Sequence, residues 1–335
     1  MKPSQKLSAD LAVDMATLSP LVPQWWELWK RCPLATPFQS PAWLLSWWEI
    51  FAPGELFCGF ATHEQKLEAL FPFYLEKTDR GPRLLPIGIS LSDYLDVLVD
   101  PQLPAIARAV VEKMCEARWL SWSFENMPPK ALAEDLATPL CCKETLSAQE
   151  ACPVLLLRGG RDLEDCVPAR RRRQLRRAWR IAATVGEIRV LRYENEGEQF
   201  LDLLFALHSA RWSEREQNGV LADRRVQNFH RLTLPRLAAV GLARCYVLTL
   251  AGRPVGAYYG LLHRERAYAY LGGFAPDVAE ISPGAILIGQ AIADAIDEGA
   301  TEFHFLRGRE AYKYGWGATD RWNRRRLWEK ALIDA

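Results

Sequence analysis

The order of helix and strand signals repeats in the two halves of the chain, and this repeat constrains the fold most. In the first half, a helix signal over 42–51 precedes two apolar runs, 56–62 and 67–76, which polar residues join as in a hairpin. The second half repeats the hairpin and then continues with a strand over 267–274 and a helix that begins at Ser282. The offset is roughly 180–190 residues, close to one domain length. The sequence therefore predicts an internal duplication of one α/β unit.

Composition sets the class of protein. The chain has 335 residues, of which 49% are apolar, so a disordered chain is excluded. Its 42 basic and 41 acidic side chains exclude a globally basic nucleic-acid binder but leave room for a local basic patch. No apolar stretch is long enough to span a membrane, and the N-terminus has no secretory signal. We therefore expect a cytoplasmic protein, with the inner face of the membrane as an alternative location.

We expect two domains of α/β (α+β) class, over residues 20–160 and 161–335. Each contains a mixed, mainly antiparallel sheet flanked by helices. The eight cysteines show no CxxC spacing and predict thiols rather than a disulfide framework or a zinc site. The five histidines are not at metal-ligand spacing, so no metal is expected.

The segment 268–317 is the most informative stretch for function. A strand that ends at Gly272, Gly273 and Phe274 leads to a helix that opens with Ser282 and Gly284. The N-terminus of a helix offers unpaired N–H groups and a positive dipole, which suit a phosphate or pyrophosphate. The alternative is that Ser-Pro-Gly is simply a good helix start. P-loop, Rossmann, serine-hydrolase and zincin motifs are absent from the sequence.

Several blocks resemble the CelD-like acetyltransferase family, which belongs to the GNAT superfamily and is related to Fem-type aminoacyl-tRNA transferases. The resemblance extends from about Pro37 to Trp316, and the Arg-Gly-x-Glu-x-Tyr-Lys run that begins at Arg307 is its most specific block. The blocks that carry it are 37–43, 92–96, 270–274, 282–284, 303–310 and 312–317.

The resemblance implies two tandem GNAT-like domains, of which the first is degenerate and faces the acceptor. The second would bind acyl-CoA, or a carrier-protein thioester, and pass the acyl group to an amine or hydroxyl of a small-molecule, saccharide or peptide acceptor in an interdomain cleft. The donor would be held by Gly272, Gly273, Phe274, Ser282 and Gly284. The sequence lacks the usual Arg/Gln-x-x-Gly-x-Gly/Ala donor loop of GNAT enzymes.

The terminal run contains the residue types that acyl transfer needs. Glu310 is the candidate base for the incoming amine, Lys313 would stabilise negative charge, and Tyr312 would protonate the leaving group. The alternative is that Arg307 and Glu310 form an ion pair that fixes a loop, with Tyr312 packed beneath it. His208 and Glu216 are second-choice bases.

A further set of residues is predicted to bind the acceptor. Two carboxylates that flank a tyrosine suit an amine or sugar hydroxyls, but they suit loop amides equally well. The predicted acceptor-binding residues are Asp93, Tyr94, Asp96, His208, Arg211, Trp212 and Arg307.

A basic run over 170–180 is the strongest local charge anomaly. It predicts a polyanion contact with tRNA, a carrier protein, a phosphate-bearing lipid or an anionic membrane, or else a solvated helix neutralised by nearby acids. A second basic cluster, over 321–326, is expected to extend the same surface. The predicted contact residues are Arg170, Arg171, Arg172, Arg173, Arg176 and Arg177.

Two alternatives to the acyl-CoA enzyme follow from these features. One is a Fem-like transferase that takes its donor from aminoacyl-tRNA held by the basic run. The other is a non-catalytic accessory protein of exopolysaccharide synthesis.

Overall fold

The computed structural model describes residues 7–157, 159, 161–193, 197–213 and 219–330, and for residues 211–213 it describes the backbone alone. The helices are α1 (Met15–Leu18), α2 (Val22–Arg31), α3 (Pro41–Phe51), α4 (Ile106–Cys115), α5 (Leu163–Cys166), α6 (Ala169–Val185), α7 (Gly197–Ser213), α8 (Arg224–Ala239), α9 (Pro283–Asp297) and α10 (Ala311–Gly315). The strands are β1 (Leu7–Ala12), β2 (Glu55–Leu56), β3 (Cys58–His63), β4 (Lys66–Phe71), β5 (Phe73–Glu76), β6 (Arg83–Pro86), β7 (Leu98–Val99), β8 (Ser121–Met127), β9 (Cys142–Leu156), β10 (Ile188–Tyr193), β11 (Ala243–Leu250), β12 (Arg253–His263), β13 (Arg266–Phe274), β14 (Glu302–His304) and β15 (Thr319–Lys330).

The chain divides into two compact units. The first contains the residues up to Glu150 together with those from Trp322 onward, and the second contains Ala151–Arg321. The predicted second domain ran to residue 335, which differs from this division at the C-terminus. The physical reason is that residues 324–329 of β15 pair antiparallel with β8 of the first unit.

The first unit holds two sets of strands. One is the antiparallel sheet β1-β3-β4-β7, against which α4 packs. The other contains β2, β5, β6, β8 and the end of β15, with β6 and β8 parallel. Its core is aromatic: Trp119, Trp122 and Trp328 are buried together with Phe73 and Phe124.

The second unit is built on one sheet, in the order β10-β11-β12-β13-β14 followed by the end of β9. All neighbouring strands are antiparallel except β13 and β14, which are parallel. Helices α7 and α9 both pack on β12 and β13. They lie on opposite faces, because Gly256 approaches Leu287 of α9 whereas Gly273 approaches His208 of α7. Helix α8 packs on α7, and α6 packs on α9.

The predicted mixed α/β class, with sheets flanked by helices, is confirmed. The predicted helix over 42–51 is α3. The Ser40 side chain accepts from the N–H of Trp43 at its start, and Pro41 occupies the first helical position. Within 94–99, Leu98–Val99 form a strand. None of the described helices combines the length and apolar character that a bilayer crossing requires.

Candidate active site

The parallel strands β13 and β14 separate after a short pairing. Residues Arg266–Tyr268 of β13 pair with Glu302–His304 of β14, whereas β13 continues to Phe274. Over 269–274, the edge of β13 therefore has no partner from β14. Backbone donors and acceptors at such an edge are available to an extended ligand. Ligands of open α/β sheets bind beyond the carboxyl ends of strands.

A pocket of about 420 Å³ lies at this edge, a volume typical of small-molecule sites. Its walls come from β12, β13, the start of α9 and α10. All five predicted donor-binding residues and one predicted catalytic residue line it: Gly272, Gly273, Phe274, Ser282, Gly284 and Tyr312. The structure therefore brings together residues that the sequence analysis had selected from two separate motifs.

A larger pocket, of about 580 Å³, lies beside Tyr193 and α8. Its arginines, Arg192 and Arg244, both form ion pairs with Glu298. Because these charges are neutralised within the protein, the smaller pocket is the better candidate site.

The helix that borders the pocket begins where it was predicted to begin, but in a different way. Ser282 has a left-handed conformation with φ of 52° and makes no side-chain capping bond, so its hydroxyl does not cap the helix. Pro283 has no N–H, and the N–H groups of Ala285 and Ile286 both donate to the Ser282 carbonyl. Gly284 therefore carries the one first-turn N–H that this arrangement leaves available. A Cβ at Gly284 would meet only the Phe274 ring, at 3.7 Å, so space remains in front of it.

Arg171 is the one charged side chain among the described residues that line the pocket. Its guanidinium carbon lies 4.3 Å from the centroid of the buried Trp316 ring, a cation–π contact. Burial lowers the pKa of the guanidinium, which nevertheless remains charged at neutral pH. Its buried Nε atom has no hydrogen-bond partner in the described structure. Sequence reasoning had grouped Arg171 with a surface patch, whereas the structure places it in the pocket wall.

Tyr258 also lines the pocket, and the sequence analysis missed it. It lies opposite Gly272 in the register of β12 and β13. Gly260 makes room for its ring, since a Cβ there would lie 2.5 Å from Cε1 of Tyr258. Burial holds the pKa of Tyr258 well above the usual value of a phenol, so its hydroxyl is neutral at physiological pH. The signal that could have found Tyr258 is the pairing of β12 with β13, because this pairing places Tyr258 opposite the predicted donor residue Gly272.

The three predicted catalytic residues do not share one location. Tyr312 lines the pocket and is 40% exposed. Lys313 is buried, and its Nζ donates to the carbonyls of Leu306, Arg307 and Gly308 at 3.1, 2.7 and 3.1 Å. Glu310 is largely exposed and lies 2.9 Å from the same Nζ.

Neither Lys313 nor Glu310 is among the residues that line the pocket. Glu310 forms an ion pair with Lys313 in this loop, where the alternative had predicted a pair with Arg307. The Arg307 side chain is also not among the residues that line the pocket.

His208, a second-choice base on α7, is not among the residues that line the pocket. His208 is buried, and its backbone N would lie 2.5 Å from a Cβ at Gly273, so it packs behind β13. Arg211 and Trp212 belong to α7, but their side chains lie outside the described part of the structure, as does all of Glu216.

The predicted acceptor-binding residues Asp93, Tyr94 and Asp96 belong to the first unit. The Asp96 carboxylate accepts from the N–H groups of Val97, Leu132 and Ala133 at 2.8, 2.7 and 2.9 Å. Burial raises the pKa of Asp96 to about 7 in spite of these donors. Tyr94 is buried, and the Asp93 carbonyl accepts from Nδ2 of Asn323. For Asp96, the alternative of loop amides is therefore the observed one.

The second basic cluster, 321–326, does not extend a free basic surface. It lies on β15, where each arginine pairs with a glutamate. The pairs are Arg321–Glu302 at 2.6 Å, Arg324–Glu134 at 3.6 Å, Arg325–Glu125 at 2.8 Å and Arg326–Glu144 at 3.0 Å. The expectation for this cluster was wrong because the acids that neutralise it lie far away in sequence.

Within the described ranges, no group of three or more histidine, cysteine, aspartate or glutamate residues could hold a metal ion.

Comparison with known proteins gives a family match that lies within the second unit. Residues 169–314 match the family model described as acetyltransferase (GNAT) domain. This stretch includes Arg171, β13, α9 and Tyr312, so the matched domain contains the pocket. No curated protein sequence matches the chain significantly.

Solved structures resemble nearly the whole chain at low identity, which shows similarity of fold. FemX has a TM-score of 0.68 at 12% identity, over 91% of this chain and 95% of its own. A conserved protein from Bacteroides thetaiotaomicron has a TM-score of 0.63 at 13% identity, over 96% and 100%. The C-terminal domain of an Agrobacterium fabrum protein assigned as a lysylphosphatidylglycerol synthetase has a TM-score of 0.57 at 11% identity, over 92% and 91%.

Proposed function

We propose that the protein is an acyltransferase that takes its acyl group from acyl-CoA, or from a thioester with the same phosphate-bearing arm, and transfers it to an amine or hydroxyl. The observation that carries this proposal is the pocket beside the part of β13 that extends past its pairing with β14, which combines strand-edge amides, a helix start and Arg171. The GNAT domain match over 169–314 supports it. Membership of the CelD-like subfamily is part of the proposal.

In this proposal, each group of pocket residues has a separate task. The edge of β13 over 269–274 binds the amide groups of the donor arm, as a strand would. The N–H of Gly284 and the guanidinium of Arg171 bind its phosphates. Arg171 thus supplies a positive charge for the phosphates in a sequence that lacks the usual donor loop.

The chemical step is a direct displacement. The acceptor nitrogen or oxygen attacks the thioester carbonyl, the new C–N or C–O bond forms, and the C–S bond breaks as the tetrahedral intermediate collapses. The leaving thiolate needs one proton, and the Tyr312 hydroxyl is the donor that we assign. The acceptor nitrogen or oxygen loses one proton as it attacks, and this proton returns to the Tyr312 oxygen, so the step balances. Lys313 and Glu310 support this step from outside the pocket, because they fix the backbone of 306–310 just before Tyr312.

The second candidate keeps the same site but uses aminoacyl-tRNA as the donor. The exposed arginines of α6 favour this candidate, because phosphates dominate affinity for nucleic acid. A steep loss of tRNA affinity with salt would be its signature. Retained cellular function after loss of Tyr312 and Arg171 would instead favour the third candidate, a non-catalytic accessory protein.

Ligand-induced thermal stabilisation tests the leading proposal. Free CoA, acetyl-CoA and longer acyl-CoAs are added to the wild-type chain and to Gly284→Leu and Gly284→Ala. A ligand at a hundredfold its dissociation constant stabilises by about 2.7 kcal/mol. We expect this shift for the wild type and for Gly284→Ala, but not for Gly284→Leu, whose side chain fills the space in front of Phe274. The proposal fails if no CoA species shifts the wild type, or if Gly284→Leu responds equally.

A further inference from the structure

Four arginines form a row on the outward face of α6. Arg170, Arg173, Arg177 and Arg180 recur at intervals of three, four and three residues, so they lie on one side of the helix. All four are exposed. The opposite side of α6 carries the buried residues Leu175, Ala178 and Ala182. The row, as we call these four arginines, spans about 15 Å at 1.5 Å per residue.

The charges of the row are not neutralised within the described structure. No ion pair joins any of its members to an acid there, in contrast with Arg172 and Arg176, which both contact Glu164 at 3.1 and 3.8 Å. Like charges at this spacing destabilise a helix. An unpaired basic row of this kind therefore indicates a surface that meets an anionic partner.

The row begins at the donor pocket. Arg170 is the neighbour of Arg171, which turns to the buried side of α6 and lines the pocket beside Trp316. One helix thus presents a single arginine to the pocket and a row of arginines to solvent. A donor whose phosphate binds Arg171 would bring whatever it is attached to close to the row.

The charge of the rest of the chain points to a small partner surface. The chain as a whole is balanced, with 42 basic and 41 acidic residues. The other basic run, on β15, is paired with glutamates. Proteins that bind nucleic acid usually carry an extended basic surface. A short row on an otherwise balanced protein instead matches the length of about three turns of an acidic helix.

We propose that the row docks an acidic acyl carrier protein, whose phosphopantetheine arm enters the pocket. This inference rests on the proposed function and narrows its donor class. Acids on a helix of the carrier face the row, the phosphate at the base of the arm binds Arg171, and the arm follows the edge of β13. The row acts at the rim, so it sets the affinity for the carrier protein and leaves the affinity for free CoA unchanged.

Fluorescence anisotropy with a labelled carrier protein in its phosphopantetheine form tests this inference. The full chain is compared with Arg173→Glu/Arg177→Glu, and with Arg80→Glu/Arg118→Glu, which makes the same charge change at exposed sites of the first unit. Both variants are first checked for an unchanged melting temperature. We expect the row variant to bind the carrier protein about tenfold or more weakly, and free CoA within about twofold of wild type. The matched control should behave as wild type for both probes.

The outcomes separate this inference from the proposed function. Absence of CoA binding to the wild type overturns the proposed function itself. If CoA binds but the carrier protein does not, or if it binds the row variant equally well, only the docking inference is overturned. If labelled tRNA binds through the row and the carrier protein does not, the partner is a nucleic acid and the inference is likewise overturned.

Discussion

Arg171 lies over the ring of Trp316, with its guanidinium carbon 4.3 Å from the ring centroid. Trp316 is fully buried and closely follows the run that begins at Arg307, whereas Arg171 belongs to the basic helix α6. Two motifs that are distant in sequence therefore meet in the wall of one pocket. The contact orients a charge toward the donor without an ion-pair partner from the described part of the protein.

Replacement of Arg171 should weaken donor binding only when the donor carries phosphate. A charge-assisted hydrogen bond contributes about 1.5–3 kcal/mol, so Arg171→Gln should lose about tenfold or more in acetyl-CoA affinity. Acetyl-pantetheine, which has no phosphate, should bind the variant and the wild type equally. Isothermal titration calorimetry measures both, with Arg177→Gln on the exposed face of α6 as the control. Equal losses for both ligands would contradict a phosphate-binding role.

The sequence predicts much of the second unit because its signals are local. Apolar runs bounded by turn residues predicted the hairpin of β11 and β12 and the strand β13 that follows it, and the Ser-Pro-Gly start predicted where α9 begins. The glycines that end β13 could be assigned to the pocket because the strand leads directly to that helix. These elements depend on neighbours in sequence, which is why a single sequence was sufficient.

Features that depend on distant residues could not be predicted in this way. From the sequence, Arg326 is predicted to belong to a basic patch. In the structure, β15 pairs with β8, and the Arg326 guanidinium forms an ion pair with the Glu144 carboxylate at 3.0 Å. From the sequence, Lys313 is predicted to place a charge in the site. In the structure, its Nζ instead donates to three carbonyls of the preceding loop. The direction of Arg171 is set by the packing of α6 on α9, where Leu175 lies against Gly289. Each outcome is decided by tertiary contacts rather than by local pattern.

Replacement by alanine should change the unfolding free energy very differently at two adjacent glycines of the pocket. A Cβ at Gly273 would lie 2.5 Å from the backbone N of His208, so α7 would have to move away from β13. At Gly272, the nearest atom is the Ala257 carbonyl oxygen at 3.3 Å. We expect Gly273→Ala to lose about 2–3 kcal/mol of unfolding free energy and Gly272→Ala less than about 1 kcal/mol. Urea unfolding measures both, and equal losses would contradict the close approach of α7.

Loss of the Lys313 ammonium should destabilise the fold, because three carbonyls would lose their buried donor. We expect Lys313→Met to reduce the unfolding free energy by about 3 kcal/mol. Glu310 is exposed, so Glu310→Gln should change it by less than about 1 kcal/mol. Chemical denaturation of both variants gives these values. A Lys313→Met variant that is as stable as wild type but inactive would instead assign the ammonium to the chemistry.

The stability of the protein should fall as pH falls below about 6.5, and His230 should account for part of this loss. His230 is buried against Tyr259 and Tyr270, and burial lowers its pKa from 6.5 to about 3. Between these values, the unfolded chain binds a proton that the folded protein does not bind, so acidification favours unfolding by up to about 1.4 kcal/mol per pH unit. His230→Phe keeps an aromatic ring beside Tyr259 and Tyr270. This variant should lose the part of the pH dependence of the unfolding free energy that comes from protonation of one histidine. Urea unfolding at pH 5, 6 and 7.5 measures the slope. At pH 7.5 the histidine is neutral in both states, so the variant and the wild type should differ there by packing alone. An unchanged slope between pH 5 and 6 would contradict the burial of a neutral imidazole at this position.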